Sequence, residues 1–179
     1  MSVSFSAGTS PAVGKPSFEL GADEMELGLG FHGKPGRSRA RLQPADDLTE
    51  ALLAEILAHR EFGPEKRLAV MINNLGATTE MELAIVARRA FDFLEGSGYA
   101  VERLYAGTFL SSLDMAGISI SLLGLNDLRL RWLDAPTGAA AWPNVPRQRP
   151  NVGAPPALCA PTEGSTQPAH AVAKGSVFR

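Results

Sequence analysis

The sequence predicts an α/β (α+β) fold, a two-layer sandwich in which a mixed β-sheet carries its helices mainly on one face. Three observations point there. Five strand-like segments accompany three helical ones, the first two strands follow each other in hairpin-like sequence, and strands and helices do not alternate as in a doubly wound sheet.

The elements follow in order. Ser2 to Lys15 is rich in Ser, Gly and Pro, lacks an amphipathic period and reads as an irregular lead-in. Pro16 to Leu20 and Met25 to Leu29 alternate apolar and polar residues, predicting two short strands joined at Gly21-Ala22-Asp23. Asp47-Leu48-Thr49-Glu50 has the form of a capping box, and Leu48, Leu52, Leu53, Ile56 and Leu57 continue at helical spacing to about His59. Arg67 to Asn74 is an apolar run closed by two amides, the pattern of a buried central strand. Thr79-Glu80-Met81-Glu82 opens a long helix with Met81, Ala84, Ile85, Phe91 and Leu94 as its expected apolar face and Arg88 at the polar edge; Gly96-Ser97-Gly98 ends it. Tyr99 to Phe109 and Gly117 to Leu125 read as strands, with Ser111 to Ala116 between them as a short capped turn or helix. Asn126 caps a last helix through Leu133, which Asp134-Ala135-Pro136 stops. Domain boundaries are expected at 1–15 for a linker-like lead-in, 16–143 for the folded domain and 144–179 for a Pro/Ala/Gly-rich disordered tail.

A hydrophobic content of 45% with 20% charged residues fits one soluble globular domain able to bury a core. The net charge of -2 gives no expectation of a nucleic-acid partner, because phosphate-backbone binding needs clustered Lys and Arg. The short basic cluster of Lys34, Arg37, Arg39 and Arg41 reads as a solvated face or as a local attractor for a phosphoryl group. With Cys159 as the single cysteine, neither an internal disulfide nor a thiolate metal site can be built. His32, His59 and His170 lie too far apart for a local ligand pair, so no metal is expected; His59 suits a helix C-terminus as a surface residue. The start lacks a basic region followed by an apolar core, and no apolar run approaches the ~20 residues of a membrane span. No membrane partner is expected, and the location expected is the cytoplasm.

The run Glu26-Leu27-Gly28-Leu29-Gly30-Phe31-His32-Gly33-Lys34-Pro35-Gly36 carries the strongest chemical signal, with four glycines and a proline within nine positions. Such a backbone can approach a small ligand closely, and its imidazole can act as nucleophile, base or hydrogen-bond partner. The alternative is a loop histidine bonded to a nearby carbonyl. Asn73-Asn74-Leu75-Gly76-Ala77-Thr78-Thr79 joins a strand to a helix start and either binds an anion or carbonyl oxygen or turns its amides onto local backbone. It lacks the ending of a phosphate-binding Walker loop. No Gly-x-Ser-x-Gly elbow surrounds Ser111 or Ser112, which argues against a hydrolase triad. Glu24 and Glu26 are expected on the solvent side of their strand, while Asp114 and Asp134 follow cap and turn logic.

Three segments in order, Glu24 to Gly36, Asn73 to Leu83 (Asn-Asn-Leu-Gly-Ala-Thr-Thr-Glu-Met-Glu-Leu) and Thr108 to Gly117 (Thr-Phe-Leu-Ser-Ser-Leu-Asp-Met-Ala-Gly), resemble the second half of the dihydroxyacetone-binding subunit of dihydroxyacetone (glycerone) kinases. Asp134-Ala135-Pro136 followed by Trp142 fits the family's ending, and the resemblance runs from about Pro11 to Trp142. It implies that His32 binds the substrate carbonyl carbon covalently as a hemiaminal, which makes His32 the catalytic and substrate-binding residue. The implied substrate is dihydroxyacetone or a related short ketose or aldose, on the way to dihydroxyacetone phosphate. The implied donor is ATP with magnesium, or a phosphoenolpyruvate-driven phosphotransferase relay, on a nucleotide-binding helical domain or subunit, with no cofactor held by this chain. Further implied partners are the family's first substrate domain, whose linker Ser2 to Lys15 resembles; a homodimer is also allowed. Lys34 departs from the acidic residue common in the motif and favours a neutral imidazole. Two readings follow: a substrate-anchoring part of a kinase, incomplete alone, or a non-catalytic regulatory module or inactive fragment of that family.

Overall fold

The computed structural model describes residues 1–30 and 36–142. Its strands are β1 (Ser2–Ser4), β2 (Thr9–Ser10), β3 (Lys15–Pro16), β4 (Glu24–Leu27), β5 (Ser38–Arg41), β6 (Arg67–Asn74), β7 (Ala100–Gly107) and β8 (Gly117–Gly124). Its helices are α1 (Ala45–His59), α2 (Glu80–Gly96) and α3 (Asp127–Leu133). Six strands form one sheet in the order β5-β4-β1-β8-β6-β7, and β2 with β3 makes a separate ribbon. Only β6 and β7 run parallel, as expected where α2 crosses between them; every other pair in the large sheet is antiparallel. The mixed sheet of the sequence reading is therefore present.

One face of the sheet carries the main core. Leu68, Val70 and Ile72 of β6 alternate inward with Ile118 and Ile120 of β8, Val3 of β1 and Met25 of β4, against Leu48, Leu52 and Leu53 of α1 and Leu83, Val86, Ala90 and Leu94 of α2. The opposite face holds a smaller cluster of Ala69, Tyr105 and Leu125, covered by Leu130 and Leu133 of α3 and by Trp142. Two helices thus lie on one face and a short third on the other.

The local signals for β6, α2 and α3 act as the sequence suggests. Thr79 and Glu82 form a reciprocal capping box at α2, and Asn126 Oδ1 accepts from Arg129 N at 2.9 Å at α3. His59 lies exposed at the end of α1, its Nδ1 2.8 Å from the Glu55 carbonyl.

Several expectations are corrected. The irregular lead-in contains β1, an interior strand of the sheet, paired on one side with β4 and on the other with β8. Val3 is fully buried there, and three residues are too few for a period to show. The strand expected at Pro16 to Leu20 shrinks to Lys15–Pro16 in the small ribbon, whereas Ser38–Arg41 forms an edge strand despite lacking apolar alternation. At α1 the capping box does not form: the helix starts earlier, after Pro44, and Thr49 Oγ1 donates to the Ala45 carbonyl at 2.7 Å inside it. In α2 the buried face is Leu83, Val86, Ala87, Ala90 and Leu94, while Met81 is 76% exposed. These buried residues have helical spacing of their own, and the face shares only Leu94 with the expected one. Of the two alternatives for residues 111–116, the turn is the one present.

Candidate functional site

The second motif is built around two asparagines at the end of β6. Asn73 Oδ1 accepts from the backbone N–H groups of Phe109 and Leu110, both at 2.9 Å, and its Nδ2 donates to the Leu110 carbonyl at 2.9 Å. Asn74 Oδ1 accepts from Gly76 N at 2.8 Å and Thr78 N at 3.1 Å, and its Nδ2 donates to Thr78 O and Thr108 Oγ1. Both side chains are buried. Asn74 therefore turns onto local backbone while Asn73 bonds the backbone that follows β7, and the N–H groups of Gly76 and Thr78 that an anion would need are already committed.

The third motif folds back onto the second. Ser112 N donates to Leu75 O at 2.6 Å, Ala77 N donates to Met115 O at 3.1 Å, and Leu75 N donates to Gly117 O at 3.0 Å. Thr78 Oγ1 donates to the Gly117 carbonyl at 2.8 Å and lies 3.0 Å from Gly117 N. The stretch after β1 closes the same turn from the other side: Phe5 N reaches Ala116 O at 2.8 Å, and Thr9 N reaches Asp114 Oδ1 at 2.6 Å. That amide holds the Asp114 carboxyl below its ordinary pKa, because it bonds the charged form.

The first motif joins them through packing. Leu29, Leu75 and Met115 are all buried and form one cluster, with Phe18 against it, apart from the main core. Each of the three segments contributes one of these side chains. The glycine run leaves β4 at Gly28, whose φ of 72° favours glycine, and an Arg37 Cβ stands only 3.2 Å from where its own Cβ would lie. Gly28 N donates to Ser2 O at 2.8 Å and Ser2 Oγ donates to Leu29 O at 2.6 Å, so β1 fixes the start of the run.

Glu26 is not on a solvent side. It is 4% exposed, and its Oε1 accepts from Gly36 N across the ends of the glycine run. Its Oε2 has no hydrogen-bond partner, with Arg39 Nε 3.8 Å away. Sequence alternation gives the face of a strand but not what covers that face, and here Gly36 returns from beyond the strand to cover Glu26. Glu24, half exposed, accepts from Gly21 N at 3.0 Å. Of the basic cluster, Arg37 pairs with Glu55 at 2.5 Å, and Arg39 lies between Glu24 and Glu26. Asp134, expected to follow turn logic, is both the C-cap of α3 and the partner of Arg103.

His32 and Lys34 lie outside the described residues, as do Cys159, His170 and the segment 144–179. Among the described residues, no group of three or more His, Cys, Asp or Glu is arranged to hold a metal ion, and no helix is long and apolar enough to cross a membrane.

The Dak1 domain model matches residues 1–141, which includes β1. The human protein "Triokinase/FMN cyclase" is 43% identical over 136 residues, 73% of this chain and 24% of that protein. The "PTS-dependent dihydroxyacetone kinase 1, dihydroxyacetone-binding subunit DhaK" of Listeria innocua is 37% identical over 145 residues, 79% of this chain and 44% of that subunit. The chain thus spans less than half the length of these relatives. Among solved structures, "Dihydroxyacetone kinase operon co-activator Dha-DhaQ" superposes with a TM-score of 0.73 at 31% identity, over 79% of this chain and 44% of that one. With the Dak1 model covering everything from β1 to α3 and the three motifs meeting at one place in the fold, the chain belongs to the Dak1 domain family, which it shares with DhaK-type subunits.

Proposed function

We propose that this Dak1 domain anchors a short ketose, dihydroxyacetone or a close relative, through His32, for phosphorylation by a partner unit. The observation that carries the reading is the cluster of Leu29, Leu75 and Met115, which seats the start of the histidine run on the other two motifs. The bond-forming step is balanced without outside reagents. The lone pair of a neutral imidazole nitrogen attacks the ketone carbon, the C=O pair moves to oxygen, and that oxygen gains a proton as the second ring nitrogen loses one. The product is a hemiaminal. Glycerol has no carbonyl and is refused by the same chemistry.

The turn at 73–79 commits the N–H groups of Gly76 and Thr78 to Asn74, which supports placing the phosphoryl donor elsewhere. The donor, ATP with magnesium or a phosphoenolpyruvate-fed relay, is accordingly assigned to a helical partner domain or subunit. Since the relatives extend well beyond the matched part, the contacts that orient the reacting hydroxyl are assigned to their other substrate domain. This chain alone is then a weak phosphoryl acceptor site, because orientation supplies ~7 kcal/mol or more of such a barrier. Action in the cytoplasm and assembly as a homodimer belong to the same proposal.

The test uses dihydroxyacetone labelled with ¹³C at its carbonyl carbon, with native mass spectrometry alongside, with and without the other substrate domain of a DhaK relative. The expected result is loss of the ketone carbon signal to a tetrahedral one, a mass gain of one triose, and loss of both in His32→Ala. No adduct under either condition overturns the reading. The likeness to an operon co-activator favours a second reading, a regulatory module with the same fold. A folded wild-type chain that forms no adduct but binds a transcriptional regulator would establish that one.

A further inference from the structure

Glu26 is a described feature of the site that the ketose-anchoring reading leaves unused. It stands on β4 opposite Arg39 of β5 and beside Ser4 of β1, on the sheet face away from the main core. Gly36 and Arg37 return to the end of β4 after the glycine run: Arg37 N donates to Leu27 O at 2.7 Å, and Gly36 N donates to Glu26 Oε1. Gly36 is held so closely that a Cβ there would stand 2.5 Å from both Glu26 Cγ and the Leu27 carbonyl. At the other end, Ser2 fixes Gly28 and Leu29.

The fold itself gains little from a carboxylate here. A backbone strand bond already joins Leu27 to Arg37, and Glu26 Oε2 is buried without a hydrogen-bond donor. An unsatisfied buried acceptor costs about 1–3 kcal/mol, and Arg39, half exposed, stays in water rather than as a buried unpaired charge when the carboxylate is removed. A carboxylate does, however, bond a backbone N–H roughly twice as strongly as a neutral acceptor, and Arg39, 3.8 Å from Oε2, holds it by attraction without taking Oε1 away.

We propose that Glu26 is a positioning residue: its carboxylate tethers Gly36 so that the run 28–36 has both ends fixed, and the ketose affinity of His32 depends on that tether. This inference rests on the reading of His32 as the ketose anchor. Ser2 and Glu26 act as two fixed posts on adjacent strands, one for each end of the run.

The test compares wild-type chain with Glu26→Met and Glu26→Gln, under the condition that gives the wild-type adduct, by ¹³C dihydroxyacetone titration, hydrogen exchange at Gly36 N–H and thermal unfolding. In Glu26→Met, exchange at Gly36 is expected to rise and the half-saturating ketose concentration to rise about tenfold or more, the scale of sub-ångström misplacement. Its melting temperature is expected to hold or increase. Glu26→Gln, which restores an acceptor of the same shape, should recover most of both losses. A wild-type titration in Glu26→Met overturns the proposal, as does a Glu26→Gln no better than Glu26→Met. Absence of an adduct in the wild type instead overturns the reading of His32, and unchanged Gly36 exchange in Glu26→Met then still disproves the tether.

Discussion

Gly76 and Leu113 are fitted to one another: a Cβ on Gly76 would stand 2.0 Å from the Leu113 carbonyl oxygen, and Leu113 itself has a left-handed φ of 60°. Gly76 adopts a φ of 147°, a conformation essentially reserved for glycine. The second and third motifs therefore meet backbone to backbone. Gly76→Ala should cost about 3 kcal/mol or more, from backbone strain and overlap together. Urea unfolding measures it, and a loss below about 1 kcal/mol would show that the turn yields instead.

Val3→Ala tests whether β1 belongs to the core. Val3 is fully buried between Ile118 on one neighbour and Leu27 on the other. Removing two methyl groups there should cost about 2 kcal/mol. A dispensable lead-in would show no change in the same unfolding experiment.

The capping box of α2 offers a local contrast. Thr79→Ala removes the acceptor for Glu82 N and should cost about 1 kcal/mol. Thr49→Ala in α1 removes a bond to Ala45 O within the helix together with a fully buried methyl group, and should cost at least as much. Paired thermal melts rank the two.

Acid stability should carry the signature of Asp134. Its hydrogen bonds with Arg103, 2.8 Å and 2.6 Å long, hold its carboxyl below the ordinary value against the opposing effect of desolvation. The folded form thus releases this proton more readily than the unfolded chain. The stabilisation is fully present above the ordinary carboxylate pKa near ~4 and is lost as pH falls through the lowered folded value. With partial exposure the pair contributes about 1 kcal/mol or less at neutral pH. Asp134→Asn should flatten the acid limb of the stability curve below about pH 4; an unchanged limb would assign it to other carboxylates.

How much was legible in the sequence depends on how far each signal reaches. The strand at 67–74, the cap at Thr79 and the cap at Asn126 are encoded by near neighbours and stand where expected. Val3 and Arg39 are placed by partners far along the chain, at Ile118 and Glu26, and no local period reveals them. The site divides the same way. Asn73 and Asn74 could be singled out by their position at a strand end, but the choice between anion and backbone was decided by Phe109, Leu110 and Thr108. Glu26 looked like any outward glutamate because the Gly36 N–H that meets it arrives only after the chain has turned back.

The register of β1 sets an order of assembly. Ser2 pairs with Ser119, so an early-synthesised strand waits for one made more than a hundred residues later. On a ribosome, β1, β4 and β5 can pair early, but β6 and β7 cannot join them until β8 emerges between β1 and β6. Pairings so distant in sequence slow folding and leave strand edges exposed meanwhile. The eight residues of β8 are thus the keystone of the nascent chain, and release before they are translated would leave the sheet in two unjoined parts.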